Sequence, residues 1–562
     1  MKAQWSLPAL LAAFALSTAA LAQTTVRFEN VAQRIGLDFA HVNGATPERH
    51  LAEIMSGGGL FFDYDDDGWV DVFVVDGGSL ADKAVASRAR HRLYRNRRDG
   101  TFEDVSASSG ITHGQYGMGA CAADYDNDGW VDLYVTAVGT NSLYRNDGGK
   151  AFTDVTRTAG VAGAAGFSAG CAFADVDRDG DVDLFVVNYV DARVDNSLFC
   201  GDTTKKLRIY CHPLNFAQLP DVLYRNNGNG TFTDISREAG IAAQGGNGLG
   251  AVFGDYDDDG WIDLFVANDT TPNFLYRNRQ GRGFEEVALV SGVAVASDGR
   301  SRAGMGTDFA DYDGDGRLDL FVTNHELETH TLFRNLGKGL FEETTSRAGV
   351  GIPTLPYVGF GTVFFDYDND TDLDLSIVNG HVMNSPGHFR PGATEAQRNL
   401  LFRNEGKGRF TDISRQAGGG FALVKISRAL AAADIDNDGD LDLLIVNNGD
   451  SVDLLRNEGG SAANALLVRL VGTTGNRSAV GARLRLTGGG TTQVREVKAG
   501  SSYLAQHDSR VHFGLATATR AERLEIRWPG GAIQVIENVP ANQIVTITEG
   551  KGVTARTALV RR

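Results

Sequence analysis

One motif dominates this chain. DYDDDGWVDVF at Asp63 returns as DYDNDGWVDLY at Asp124, DVDRDGDVDLF at Asp175 and DYDDDGWIDLF at Asp255. It returns again as DYDGDGRLDLF at Asp311, DYDNDTDLDLS at Asp366 and DIDNDGDLDLL at Asp434. Counted from the first aspartate, positions 1, 3, 5 and 9 are aspartate in all seven copies. A solvated acidic face has no reason to keep four carboxylates at fixed places so many times. The copies lie 51 to 80 residues apart. That spacing marks a repeat architecture, in which each unit buries its apolar face only against its neighbours.

Two further signatures run in phase with the acidic loops. LYRN or a close variant begins at Leu93, Leu143, Leu223, Leu275, Leu332, Leu400 and Leu454. A phenylalanine strand of the type FTDV follows at Phe102, Phe152, Phe232, Phe284, Phe341 and Phe410, only six times. The missing copy, FENV at Phe28, stands before the first loop. The displacement predicts that the N-terminal strand completes the last repeat and closes a ring. Segments flanking the loops are β-branched and aromatic with no helical stripe. The expected fold is therefore all-β: a seven-bladed β-propeller closed by its N-terminal strand, which protects sheet edges by radial repetition.

Four carboxylates within nine residues repel one another unless a cation neutralises them. Acid–base catalysis needs two carboxyl groups in unlike environments, and seven like loops do not supply them. Ca²⁺ accepts six to eight oxygens in flexible geometry, whereas Mg²⁺ demands a strict octahedron. An EF-hand would require a glutamate at position 12. That position holds Val74, Val135, Val186, Val266, Val322, Ile377 and Ile445. The expected ligands are instead Asp63, Asp65, Asp67 and Asp71, with the Trp69 carbonyl and water completing the shell. The equivalent sets are Asp124, Asp126, Asp128 and Asp132; Asp175, Asp177, Asp179 and Asp183; and Asp255, Asp257, Asp259 and Asp263. The remaining three are Asp311, Asp313, Asp315 and Asp319; Asp366, Asp368, Asp370 and Asp374; and Asp434, Asp436, Asp438 and Asp442. Glycine permits the turn at position 6 except at Thr371, so the Asp366 site is expected to be the weakest of up to seven calcium sites. Seven divalent ions would nearly offset the net charge of −18. That acidity also argues against a nucleic-acid partner, which needs Lys and Arg to replace phosphate counterions.

Residues 1–22 read as a secretory signal: Lys2, an apolar stretch from Leu7 to Leu16, and an Ala20-Leu21-Ala22 cleavage site. The apolar run is shorter than a spanning helix needs, and no other segment is apolar enough. The mature chain is expected to be periplasmic, cell-surface or extracellular. In that setting Cys200 and Cys211, inside an irregular insertion from Tyr189 to Asp221, suit a loop-clasping disulfide. Cys121 and Cys171 sit in small apolar runs before acidic loops and read as buried reduced thiols.

Residues 23–460 are expected to form the ring. After Asn457 the acidic loops stop, and 461–550 read as a small all-β domain of short alternating strands such as ALLVRLVG and GARLRLTG. The basic tail 551–562, KGVTARTALVRR, reads as a disordered end.

The seven loops with LYRN and FTDV resemble FG-GAP/VCBS repeats, as in integrin α-subunit propellers. NRSAVGARLRL, HFGLA and LEIRWPGGAIQVIENVPANQIVTI resemble the ASPIC/UnbV domain. Together they are similar to the cartilage acidic protein-like family, which includes bacterial exported members. The resemblance implies calcium at the loop aspartates, with Thr371 departing from the pattern. It implies no particular activity.

A ligand is expected at the end of the ring away from the acidic loops. Five residues beyond each position 9 stand Asp76, Ala137, Asn188, Asn268, Asn324, Asn379 and Asn447. The asparagines are either local turn caps or a hydrogen-bonding rim for a polar ligand. Asp269, His325, Glu326, His330 and His381 belong to the same end, and His325, Glu326 and His381 are the one candidate metal or acid–base group. The leading expectation is a calcium-binding adhesion or interaction module for a glycan or protein, monomeric or weakly associating, and not an enzyme. Alternatives are a lyase, hydrolase or biosynthetic tailoring enzyme using the rim, and a structural envelope protein docking through its C-terminal domain.

Overall fold

The computed structural model describes residues 26–80, 90–112, 115–163, 166–242 and 245–561. The signal segment lies outside the described residues. The described residues are all-β apart from single helical turns.

Each repeat builds one antiparallel sheet. In the first, Gly59–Phe62 pairs with Asp71–Val74 across the acidic loop, then with Arg92–Asn96 and Phe102–Asp104. The same order recurs in the fourth repeat, from Gly248–Gly254 through Asp263–Asn268 and Phe274–Asn278 to Phe284–Glu286. Position 9 of every acidic loop opens the second strand, so the carboxylate there is pinned by the sheet register. In the seventh repeat, Ser427–Ala433, Asp442–Asn447 and Asp453–Glu458 take Arg27–Asn30 as their fourth strand, with Phe28 opposite Asn457. The first strands of consecutive repeats lie against one another, and that of the seventh lies against that of the first. Aromatic and branched side chains fill the spaces between sheets, as where Phe28 meets Phe365, Tyr367 and Phe421.

The C-terminal module is two four-stranded sheets around Leu466, Leu484, Phe513, Leu524 and Trp528, all nearly or fully buried. One sheet ends in Gly552–Ala558, which pairs with Gln543–Thr548. The tail expected to be disordered is thus an edge strand through Ala558. Its alternation of small and polar residues completes the sheet even though it adds little to the core.

From this module, residues Ala499 to Asp508 run in among the first strands of the repeats. Phe173 N–H donates to the Ala499 carbonyl at 2.8 Å, and Ser502 exchanges backbone bonds with Thr307 at 2.8 and 3.1 Å. Gly59 N–H donates to the Leu504 carbonyl at 3.2 Å, and Asp508 N–H to the Ala432 carbonyl at 3.0 Å. The Gln506 amide brackets Ala122 at 2.8 and 3.0 Å, and the Ser502 hydroxyl accepts from Thr362 N–H at 2.9 Å. At the tip, Tyr503 is 0% exposed, its hydroxyl donating to the Met55 carbonyl at 2.7 Å. Glycines at 58, 119 and 250 make room: a Cβ there would come within about 3.1 Å of this segment.

Candidate metal centre and the opposite face

Loop geometry follows from three backbone devices. Position 1 accepts two loop N–H groups: Asp63 takes Asp67 at 3.0 Å and Gly68 at 2.9 Å. Position 4 is left-handed, with φ of 52° at Asp66, 58° at Asn127 and 55° at Asn437. Position 9 accepts from position 2 and from the LYRN strand, as Asp71 does from Tyr64 at 3.1 Å and Asn96 at 2.7 Å. These bonds bring carboxylates of positions 1, 3 and 9 within 4.8 Å of one another in the first three loops, and those of positions 1, 3 and 5 in the fourth and fifth. Two further such groups exist among the described residues. The four expected side chains do not therefore all converge alike in every loop. In the first, Arg98 draws Asp67 aside.

The donor set fits a cation. Buried carboxylate oxygens of Asp65, Asp175, Asp311, Asp313 and Asp368 have no hydrogen-bond partner. Without an ion, burial and neighbouring carboxylates push these groups up. Asp124 and Asp175 rise to about 7 and Asp63 to about 6, chiefly by desolvation. Position 9 rises further, well above the usual range at Asp132 and Asp319. Hard oxygen donors without thiolate or imidazole suit Ca²⁺ or a like ion.

Sequence reasoning left LYRN without a role, and the structure supplies one. Its arginine faces the position 3 carboxylate of its own loop: Arg95 reaches Asp65 at 2.7 Å and Arg334 reaches Asp313 at 2.5 Å. Its asparagine joins neighbouring repeats. Asn146 donates to the Val131 carbonyl of its own loop at 3.0 Å and to the Tyr64 carbonyl of the repeat before at 2.8 Å. Asn226, Asn278, Asn335, Asn404 and Asn457 each donate likewise to the repeat before. Asn96 of the first repeat donates to Ile435 of the seventh at 2.8 Å.

The C-terminal module covers the acidic loops with cations that sequence reasoning missed. Arg469 pairs with Asp66, and Arg527 with Asp255. Arg510 donates to the Asp434 carbonyl at 2.7 Å, and Arg483 to the carbonyls of Asp255 and Gly316 at 2.9 and 3.0 Å. The signal was present in charge distribution: residues 461–562 hold 14 Lys/Arg against 6 Asp/Glu, in a chain of net charge −18.

At the opposite end the asparagines are not an open rim. The side-chain amides of Asn188, Asn268 and Asn379 donate to the carbonyls of Pro220, Pro272 and Arg398 at 2.7, 2.7 and 2.9 Å. Asn324 and Asn447 donate to the Thr329 and Ser451 carbonyls at 2.7 Å. Asn268, Asn324 and Asn447 staple the turn that follows, Asn188 and Asn379 tie down the far end of a longer connection, and all but Asn188 are buried. Asp269 is buried and bonded to the Tyr189 hydroxyl, its carboxyl pushed up to about 7 by desolvation.

His325, Glu326 and His381 do meet. The imidazole rings of His325 and His381 lie 5.5 Å apart, and His381 Nε2 is 3.2 Å from Glu326. Met383 N–H donates to His381 Nδ1 at 2.9 Å, which leaves the ring proton on Nε2. Arg390 holds the other oxygen of Glu326 at 2.5 Å. Burial pushes His381 down to about 4, so the ring is neutral. The three side chains and Arg390 thus form one cluster of close polar groups. His325, whose Nδ1 lies 3.2 Å from the Glu326 carbonyl, keeps Nε2 as an acceptor. Beside them stands the insertion, clasped by Cys200–Cys211. A second disulfide, Cys121–Cys171, corrects the expectation of reduced thiols. These cysteines lie three and four residues before their acidic loops on adjoining first strands, which brings them opposite each other.

Fold and site together define an all-β repeat protein with acidic, cation-competent hairpins. The chain belongs to the FG-GAP-like repeat family, which it matches over residues 63–186, 217–376 and 392–445, and it carries an ASPIC and UnbV domain at 472–554. Its curated relatives include cartilage acidic protein 1 of Homo sapiens, 26% identical over 77% of this chain and 62% of that one. The Xenopus tropicalis protein of the same name is 27% identical over 54% of this chain and 44% of its own length. The chain thus spans about three fifths or less of these relatives. Among solved structures, the BP39L lectin of Burkholderia pseudomallei aligns over 71% of this chain and 95% of its own, at 11% identity and TM-score 0.43. A lectin of Agrocybe aegerita aligns over 64% and 79%, at 16% identity and TM-score 0.39. No helix among the described residues is long and apolar enough to cross a membrane.

Proposed function

We propose that the chain is an exported interaction module: a closed seven-bladed propeller, stabilised by calcium in its acidic loops, that holds a polar ligand at the end away from them. Closure is supported by the Asn96 link from the first repeat to the seventh. Calcium is supported by the partnerless carboxylate oxygens. Export is supported by the two disulfides, which persist in oxidising compartments.

One observation carries the placement of the ligand. The C-terminal module covers the acidic loops and its segment 499–508 fills the space among the first strands, so the opposite end is the large uncovered surface. There the insertion exposes Phe199 and Leu214, and the neighbouring loop exposes Phe389. Apolar groups beside the Arg390–Glu326–His381 network suit a glycan or protein surface that is part apolar and part polar. The test is a glycan and protein array on calcium-loaded chain, repeated with Phe199→Ser/Phe389→Ser. Loss of the hits in the variant is expected; hits that survive it place the ligand elsewhere.

A second reading, an enzyme at this same end, draws on His325 Nε2 as a base beside Glu326. Under it, His325→Ala abolishes turnover of an array hit while binding survives. No turnover by the native chain removes it.

A further inference from the structure

We propose that cation occupancy of the acidic loops and seating of the C-terminal module are one coupled equilibrium, with residues 499–508 as the element that is released when the cations leave. The inference rests on the calcium reading above and goes beyond it.

The module does not grip the ring through side-chain charge alone. It reads loop backbone at the places the cation orders. Ala516 N–H donates to the Asn369 carbonyl and Val560 N–H to the Asn437 carbonyl, at 2.8 and 2.7 Å. Arg477 N–H donates to the Asn127 side chain at 2.9 Å. Asn127, Asn369 and Asn437 are the left-handed position 4 of their loops, with φ of 58°, 59° and 55°. An ordinary residue holds that conformation at a cost of about 1 kcal/mol or more, and four unneutralised carboxylates in the same loop push it open. Loops without a cation therefore lose the backbone geometry the module recognises.

The segment 499–508 joins the module to the repeats. Its backbone and side-chain bonds run to the first strands of six repeats, and Tyr503 and Leu504 lie in an apolar cluster with Met55, Met118, Leu249 and Phe360. It leaves only with the module. Coupling of this kind is reciprocal: whatever weakens seating weakens cation affinity by the same factor.

The full chain is compared with and without excess chelator, well below its unfolding temperature, by hydrogen exchange. Amides of 499–508 are expected to exchange at least about tenfold faster without calcium, while strands such as Leu400–Asn404 stay protected. A second arm measures calcium by calorimetry on Tyr503→Ala/Leu504→Ala, which touches no acidic loop. A fall of about tenfold in affinity is expected. If that variant does not fold, the exchange comparison on the native chain decides. Calcium binding with unaltered exchange overturns the coupling alone. A native chain that binds no calcium overturns both readings.

Discussion

Position 6 of the acidic loop isolates what one side chain does to a turn. Six copies place glycine there at φ between 86° and 102°, and the seventh places Thr371 at 90°. A β-branched residue at that φ is strained by about 1–3 kcal/mol. Thr371→Gly is therefore expected to raise stability by about 1 kcal/mol, net of the extra freedom glycine gives the unfolded chain. Denaturant titration reads it, and a lower midpoint would mean that the threonine packs well enough to offset its strain. A second single-residue case concerns pH. His330 Nδ1 accepts the Asn324 N–H at 3.1 Å, as Asn273 Oδ1 accepts the Asn268 N–H at 3.0 Å one repeat earlier. Burial lowers His330 from 6.5 to about 3. The unfolded chain takes up the proton first, so this stability is complete above pH 6.5 and is lost as pH falls toward 3. His330→Asn keeps the acceptor and removes the titration. Its stability at pH 7.5 should lie within about 1 kcal/mol of the native chain, and the gap should turn in its favour by pH 4.5. Parallel curves would contradict this.

Closure is decided at the scale of the repeat. Each asparagine of the LYRN strand makes two buried bonds, one within its repeat and one to the repeat before, so alanine there costs about 2–4 kcal/mol. In an open array the Asn96–Ile435 contact would sit at a frayed junction and count for less. In a ring it equals any other: Asn96→Ala and Asn335→Ala should destabilise within about 0.5 kcal/mol of each other by thermal or urea unfolding. A much milder Asn96→Ala would argue that the ring opens between Arg27–Asn30 and the seventh repeat. The order of strands and the displaced phenylalanine strand were legible because identity at fixed spacing repeats in a single sequence. What LYRN does was not, since its asparagine bonds across to a partner about 80 to 100 residues away, or 339 away at the closure, and spacing is silent on that. Between the two readings of the asparagines spacing could not choose: Asn268, Asn324 and Asn447 are spent on carbonyls four or five residues on, but Asn188 and Asn379 on carbonyls 32 and 19 residues on. Cys121 and Cys171 were legible in principle, standing three and four residues before successive loops, had register been weighed against apolar context.

For the molecule as a whole, contacts cross the boundary near residue 460, because residues 499–508 of the C-terminal module bond to the first strands of the repeats. The C-terminal strands read plainly from alternation, yet nothing in that alternation announces that Ala499 to Asp508 leaves its own sheets to run among the first strands of the repeats. The segment carries small residues around Tyr503 and Leu504, the composition of a surface loop, and its burial comes wholly from tertiary context. Charge tells the same story, a basic module of 14 Lys/Arg against 6 Asp/Glu on an acidic ring. In a chain whose loop tryptophans Trp69, Trp130 and Trp261 are replaced by Phe, Trp528, buried in the module, and the strand signal of the repeats should therefore report one transition when calcium is saturating. Tyr503→Ala removes a buried ring and its bond to Met55, a loss on the order of 3–5 kcal/mol. If module and ring unfold together, the variant lowers both signals by the same number of degrees. If they unfold separately, only the Trp528 signal moves. If calcium shapes the loops as proposed, the two signals of that chain with Tyr503 intact should part in chelator, tryptophan first. Coincident melting in chelator, with calcium removal verified, would show that the arginines alone hold the module down.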